Sequence, residues 1–544
     1  MFTPMPEKPA SVSWLWTQVL TCWKNLTAMS ICLIIFALAL LLDYMKRRKK
    51  CDRCPPGPAP LPFIGNILWF NRKNPSESFR QVSSGSISSE INTLFTFSYI
   101  LQVEKIFGPI FLVQAGWQNF VIINGFKLTK EALGSKAEDF IERPALPLIF
   151  LLGRTKKYEV FLYYLGIILA TSHNGWREQK RFCVSTLKTF GMGKKTLEKK
   201  VCEEAWYLCS ELKSKEGSPF DPKISIFNAT GNIISTLAFG DRFEYHDETF
   251  LKLIHSTEEI LKDLTRMVPE IVFARSWFSY LPGPHQKIKK HYDNFTAVLK
   301  IMVDEHKKTR DPTFPRDLID AFLEEIEKAK GNPETSFGEE NLIHLMIDLF
   351  AAGTDTTSVT LLWGLLKMIL YPEVQKRVQE EIDMVIGRIK SPTMEDQSKL
   401  PYTNAVIHEI QRYADIAPTT IPYMTYRDTE VANFVIPKAT VVICHLSSVL
   451  KDETMWEKPH DFYPEHFLDA NGKFIKREAF LPFSAGRRAC TGEQLAKTEL
   501  FIFFTTLLQH FTFCIPENCP KPTEERIYAV TVTPAPFQLC AIPR

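Results

Sequence analysis

The longest uninterrupted helical pattern in the chain runs from Asn341 to Tyr371 and is apolar on nearly every face. A helix of that kind belongs in the middle of a molecule, because a surface helix needs a polar stripe. Ser336-Phe337-Gly338-Glu339 has the spacing of a capping box at its start, and Pro372 ends it. Other helical runs cover Glu493 to Gln509, the stretch after Pro401 that contains Glu409 and Arg412, and a basic amphipathic stretch around Trp176 to Arg181. Ile110 to Gln114 reads as a strand.

The front of the chain follows a different pattern. Leu26 to Leu42 is a charge-free run of seventeen residues. As a helix it would be about 26 Å long, just short of the roughly 30 Å hydrocarbon core of a bilayer. Lys46-Arg47-Arg48-Lys49-Lys50 follows at once and belongs on the cytosolic side. A cleaved signal peptide has its positive charge ahead of the apolar run, so an uncleaved anchor is expected. Pro55-Pro56-Gly57-Pro58 then makes a stiff hinge. The resulting partition is a luminal segment 1–25, an anchor 26–45, a hinge 46–62 and one body 63–544. That body has no Gly/Ser tract or repeat, and the whole chain's composition of 45% hydrophobic and 23% charged residues is ordinary for a single large globule. A net charge of +3 gives no basis for nucleic-acid binding. Twelve cysteines without paired spacing point to a reducing compartment rather than a disulfide framework. Cys51-x-x-Cys54 lacks the second pair that a zinc site needs.

The chemistry concentrates in Phe483-Ser484-Ala485-Gly486-Arg487-Arg488-Ala489-Cys490-Thr491-Gly492, directly before a helix. Free N–H groups and the positive dipole end at a helix start favour a thiolate. Gly486 and Gly492 let the backbone turn and approach a bulky planar ligand. Phe483 can pack beneath that ligand and Arg488 can meet a carboxylate, as around a haem iron held by cysteine. Within the long helix, Ala352-Gly353-Thr354-Asp355-Thr356-Thr357 places small residues beside a hydroxyl and a carboxylate. Ala352 and Gly353 leave room for a diatomic ligand, and Thr356 and Asp355 can pass protons to it. A buried Thr otherwise back-bonds within its own helix. Asp348 shares a face with Ala352 and Thr356. Two readings of it stand open: an acid accepting loop N–H groups, or an anion that holds a cationic amine.

With the spacing F-x-x-G-x-R-x-C-x-G, the chain resembles the cytochrome P-450 family, and in particular microsomal family 2 and its subfamily D. W-R-E-Q-K-R-F-C-V-S-T-L-K, P-Y-T-N-A-V-I-H-E-I-Q-R and A-F-L-P-F-S-A-G-R-R-A-C add to the likeness. The resemblance implies a mainly α fold with small β-sheets, with haem b (iron protoporphyrin IX) between the long helix and the loop of Cys490, its axial thiolate. It implies that Trp176, Lys180, Arg488 and Arg143 contact the haem propionates. Glu409 and Arg412 become a buried E-x-x-R pair supporting the core, and Ile168 a substrate-cavity position. The activity implied is a monooxygenase that inserts one oxygen atom from O2 into lipophilic small molecules such as xenobiotics, basic amines, fatty acids or steroids. The chain contains no G-x-G-x-x-G after a predicted strand and no Walker-type loop. NADPH-derived electrons would therefore come from cytochrome P-450 reductase, with cytochrome b5 as another candidate partner. Arg177, Lys180, Arg181, Lys188, Lys194, Lys195 and Arg487 would form the docking face. The expected location is the endoplasmic reticulum membrane, with the catalytic body in the cytosol.

Departures from the family pattern are Lys180 and His466 in place of Arg, Leu264 where the subfamily carries a second acid, and Ile168 in place of an aromatic. Val82 to Leu101 and Gly153 to Leu165 look like insertions. Two other readings compete: a haem-thiolate isomerase or dehydratase that uses no O2, and a haem-binding sensor.

Overall fold

A computed structural model describes residues 17–19, 21, 30–42, 53–61, 65–66, 103–115, 118–144, 152, 155–158, 161–164, 166–170, 174–266, 285–332, 335–517 and 519–544. The expected insertion 82–101 and the basic run after the anchor lie outside these residues. Residues 30–42 are helical, and large side chains from Ile31 to Leu42 are exposed along them. Among the described residues no helix is long and apolar enough to cross a membrane.

The body is mainly α. Helices α1 (Asn174–Thr189), α2 (Lys195–Lys213), α3 (Lys223–Ala238), α4 (Glu248–Arg266), α5 (His285–Thr309) and α6 (Leu318–Lys328) precede the long helix α7 (Glu339–Leu370). α8 (Pro372–Val385), α9 (Pro401–Ala414) and α10 (Glu493–His510) follow it. α7 is buried along nearly its full length, with Leu342, Leu345, Phe350, Val359, Trp363 and Leu366 inside the main core. Its start differs from the expected capping box. The N-cap is Gly338, Ser336 gives its hydroxyl to Glu178, and Glu339 pairs with Lys307 at 2.7 Å. Ser336 therefore ties α7 to α1 instead of closing its own helix.

α7 packs most extensively on α3, and Gly353 explains how closely. A Cβ at Gly353 would stand 2.3 Å from Ile234 Cδ1. The missing side chain therefore admits α3, and the most exposed position of this segment is Ala352.

The main sheet has the order β1-β2-β8-β5, built from Ile110–Ala115, Gln118–Ile123, Val441–Cys444 and Tyr423–Met424. β1 and β2 form an antiparallel hairpin, and β2 runs parallel to β8. Both faces of β2 are covered: Val121 and Ile123 enter one apolar cluster, Phe120 and Ile122 another. Such burial is why its apolar run does not alternate with polar residues. Smaller antiparallel pairs are β3–β4 (Thr155–Tyr158, Phe161–Tyr164), β6–β7 (Thr429–Val431, Phe434–Ile436), β10–β11 (Arg526–Tyr528, Val532–Pro534) and β9–β12 (Phe511–Cys514, Cys540–Pro543). The β3–β4 hairpin occupies the segment 153–165. The Trp363 indole donates to the Val532 carbonyl at 2.9 Å, fixing the β10–β11 hairpin to α7.

Candidate active site

Cys490 ends a tight loop. Its N–H donates to the Phe483 carbonyl at 3.0 Å, and the Ala489 N–H to that of Gly486 at 3.2 Å. Gly486 has φ +79°, and a Cβ there would meet the Leu133 carbonyl oxygen at 2.2 Å. The close approach expected of Gly486 is thus to this carbonyl, in the turn before Lys136. The N–H groups of Gly492 and Glu493, at the start of α10, donate to the Cys490 sulphur. Burial is nonetheless the largest influence and pushes the thiol above its ordinary value, while the Gly492 N–H and Lys180 draw it down. A metal cation on the sulphur reverses that balance, since a coordinating thiol is deprotonated outright.

Two exposures are anomalous for residues so deep in the fold. Ala352 is exposed in the middle of a buried helix, with Ala351, Gly353 and Thr356 partly so. Cys490 and Gly486 are also exposed, although burial dominates the thiol's titration. Both observations fit side chains that line an internal hollow. The Thr356 hydroxyl donates to the Ala352 carbonyl at 2.7 Å, the ordinary back-bond of a helical Thr. Its oxygen keeps acceptor capacity toward the hollow. Asp355 turns elsewhere: it is 8% exposed and accepts the Thr531 hydroxyl at 2.7 Å. Burial raises its carboxyl to about 6, partly offset by the Thr531 bond. The two residues expected to share a relay are therefore neighbours in sequence that face different partners.

Asp348 is buried, and its Oδ2 accepts the N–H groups of Ile167 at 2.8 Å and Ile168 at 3.0 Å. This is the loop-bracing arrangement of its two open readings. Ile168 is half-buried and passes the contact on, its carbonyl accepting from Arg143 Nε at 3.2 Å.

Three cations converge beside this loop. Arg143 Nη1 donates to the carbonyls of Ile421 and Pro422, at 2.7 and 2.9 Å, and its guanidinium lies over Tyr423. Arg488 donates to the carbonyls of Ile141 and Ala170, at 2.9 and 2.6 Å. Its guanidinium sits 3.7 Å from the centre of the Trp176 ring, and the Lys180 ammonium 5.3 Å from the same ring. Burial lowers Arg143 to about 10. Burial and then the like charge of Arg143 lower Arg488 to about 9, with Glu142 opposing. Lys180 is lowered by burial and Arg488, and reaches the Arg487 carbonyl at 2.6 Å. A buried guanidinium and a half-buried one that repel each other and donate to carbonyls make a cradle for anionic groups. Haem carboxylates, with iron at Cys490, fit this donor set.

Below the loop, Glu409 and Arg412 are both fully buried on α9 and pair bidentately, with both contacts at 2.7 Å. Arg412 also donates to the carbonyls of Leu450, Pro459 and Asp461. His466 takes the place where Arg was expected. The Lys458 N–H donates to His466 Nε2 at 3.1 Å, so that nitrogen carries no proton. Nδ1 then bears the hydrogen and donates to Glu409 Oε2 at 3.2 Å. A neutral imidazole completes the network without adding a second buried cation.

The basic stretch is largely exposed at Arg177, Arg181, Lys188, Lys194 and Lys195. Two of its charges are already engaged: Lys195 with Glu395 at 2.6 Å, and Arg487 with Glu138 at 2.5 Å. The Tyr463 N–H on Glu409 belongs to the loop Tyr463–Phe467 that the family resemblance places on this pair, whereas Thr531 on Asp355 is a contact that the pattern could not foresee. Thr531 comes from a segment distant in sequence.

This donor set fits a haem held by a cysteine thiolate, and the comparisons with known proteins give the family that uses such a group. The chain belongs to the cytochrome P-450 family, whose pattern matches residues 90–541. Among similar proteins are cytochrome P-450 2D14 of Bos taurus, 47% identical over 96% of this chain and 99% of the relative, and cytochrome P-450 2D1 of Rattus norvegicus, 46% identical over 96% and 98%. Cytochrome P-450 2D6 of Homo sapiens is 46% identical over 94% of this chain and 98% of its own length. The protein is a monooxygenase that uses haem with a cysteine thiolate, O2 and electrons from a redox partner, and it acts on lipophilic small molecules.

Proposed function

We propose that Cys490 is the axial thiolate, and that Trp176, Lys180, Arg488 and Arg143 hold the carboxylates of haem b. Phe483 and Gly486 set the loop geometry. Once bound there, the haem supplies O2 binding and the two-electron chemistry that places one oxygen atom in substrate. The observation that carries this reading is the convergence of Arg143, Arg488 and Lys180, with Trp176 between the last two, at the loop of Cys490.

Each side chain then has a defined task. Ala352, small and exposed on α7, would leave room for a small ligand beside a bound haem. Thr356 holds a proton donor against its Oγ1 while its own hydrogen rests on the Ala352 carbonyl. The Asp355 carboxyl, raised to about 6, is partly protonated near neutral pH and resupplies that proton after turning from Thr531. Asp348 and Ile168 act together: the carboxylate fixes the loop whose apolar side chain borders the substrate. This bond to loop N–H groups favours lipophilic xenobiotics, with amine preference secondary.

Electrons come from NADPH through cytochrome P-450 reductase, with cytochrome b5 as a second donor, at the exposed basic stretch of α1 and α2. Residues 26–45 anchor the body 63–544 to the endoplasmic reticulum membrane through the hinge 46–62. The exposed apolar side chains of residues 31–42 support this placement. The segments 82–101 and 153–165 are read as insertions in the body.

The test is the difference spectrum of dithionite-reduced, carbon-monoxide-bound protein. A strongly red-shifted Soret band is expected, and Cys490→Ser should abolish it. A band at the ordinary haem–CO position in the unaltered protein would remove Cys490 from its role.

A further inference from the structure

β9 and β12 form an antiparallel pair in which Cys514 lies directly opposite Cys540. The Arg544 N–H donates to the His510 carbonyl at 2.9 Å just beyond the ladder, and Pro543, which has no N–H, faces Phe511. Counting in from that bond, the pairs alternate, so Ile542 with Thr512 and Cys540 with Cys514 are the hydrogen-bonded positions. At such a position Cα atoms stand about 5.5 Å apart and both side chains point to one face. That Cα separation lies within the range of a disulfide, while the Cβ atoms of a hydrogen-bonded pair stand about 5.5 Å apart against about 3.5–4.5 Å in a disulfide. The strands must therefore close by about 1 Å, and the bond is strained and easily reduced. The face is the outer one: Thr512 is half-buried and Ile542 is 44% exposed. Both cysteines are free thiols, Cys514 half-buried and Cys540 buried. Burial raises the Cys540 thiol most, followed by the neighbouring Cys514 and then Cys519. Cys519, the other thiol nearby, lies against Gln538 Oε1 at 3.6 Å.

We propose that Cys514 and Cys540 form a reversible disulfide when the protein meets a hydroperoxide. Cys514, the more accessible thiol, is oxidised to a sulfenic acid as the peroxide is reduced to an alcohol, or to water for hydrogen peroxide. The Cys540 sulphur then attacks it, forming the S–S bond and releasing water, while its own proton leaves with the hydroxyl group. One peroxide thus consumes two thiols. The bond closes a loop over residues 515–539, which contains the β10–β11 hairpin. That hairpin holds Asp355 through Thr531 and Trp363 through the Val532 carbonyl. Oxidation therefore ties down the base of the segment that contacts the proton-holding residue.

The test uses the full-length, haem-loaded protein treated with hydrogen peroxide, alkylated and digested for mass spectrometry. The expected product is a peptide pair joining Cys514 to Cys540, two hydrogens lighter than the separate peptides and released by a thiol reductant. Oxidation should also raise the melting temperature of the unaltered protein and of Cys519→Ser, and leave Cys514→Ser unmoved. In Cys540→Ser, Cys514 should stop at the sulfenic acid and react with a dione probe. Alkylation of both Cys514 and Cys540 after peroxide has oxidised Cys54 would overturn the proposal. So would a crosslink that runs through Cys519 instead.

Discussion

Asp355→Asn separates the stability role of this carboxyl from its proton chemistry. In the folded protein the carboxyl titrates near 6 instead of 3.8, because burial disfavours its charge. Folding therefore binds a proton. The stability linked to this group is complete below about pH 3.8 and is lost as pH rises through about 6. At about 1.36 kcal/mol per decade, the ionised group costs roughly 3 kcal/mol above that range. Asn keeps an acceptor for the Thr531 hydroxyl and removes the charge, but adds an amide donor without an assigned partner, worth about 1 kcal/mol or more. The variant should be stabler than the unaltered protein by roughly 2 kcal/mol at about pH 7.5 and no stabler at about pH 4. Urea unfolding at both pH values, followed by fluorescence and the Soret band, gives the two differences. Turnover should fall and peroxide release should rise in the same variant, a trade of activity for stability. A stability difference that does not change with pH would refute the reasoning, because it would mean that Asp355 is not charged in a buried place.

Arg412→Ala leaves the fully buried Glu409 unpaired and strips a donor from three carbonyls. Breaking such a pair costs about 3–5 kcal/mol, against a whole-domain stability of about 5–15. Little haem-loaded protein should accumulate, as read from the ratio of Soret to protein absorbance. Gly486→Ala should reduce haem loading several-fold by the same ratio, because its Cβ meets the Leu133 carbonyl at 2.2 Å in a left-handed backbone. Gly353→Ala should cost about 1–3 kcal/mol in urea unfolding, and Ile234→Ala should recover part of it, since Ile234 Cδ1 is the atom struck. Thr356→Ala should uncouple NADPH consumption from product and release peroxide; full coupling would exclude Thr356 from proton delivery.

Elements with a strong local pattern were legible from the chain alone. The run Asn341 to Tyr371 is observed as Glu339–Leu370, and the run after Cys490 as Glu493–His510. Hydrophobic periodicity and proline stops are properties of neighbouring residues, so they survive without knowledge of the fold. The capping box did not form, because Glu178 from α1 offered Ser336 a stronger, charged partner. The role of Gly353 was misread for the same kind of reason: what it admits is Ile234, more than a hundred positions earlier.

The sequence by itself determined the cysteine loop and the spacings that carry the family resemblance, and through that resemblance the pair Glu409–Arg412 and the class of chemistry. Those depend on fixed spacings of a few residues along one helix or turn. Only the tertiary structure decided that Asp355 faces Thr531, that Asp348 braces residues 167 and 168, that His466 donates from Nδ1, and that Cys514 meets Cys540. Each of these is a contact between segments far apart in the chain. A polar group taken out of water bonds whatever partner packing brings to it, and spacing along the chain does not specify that partner.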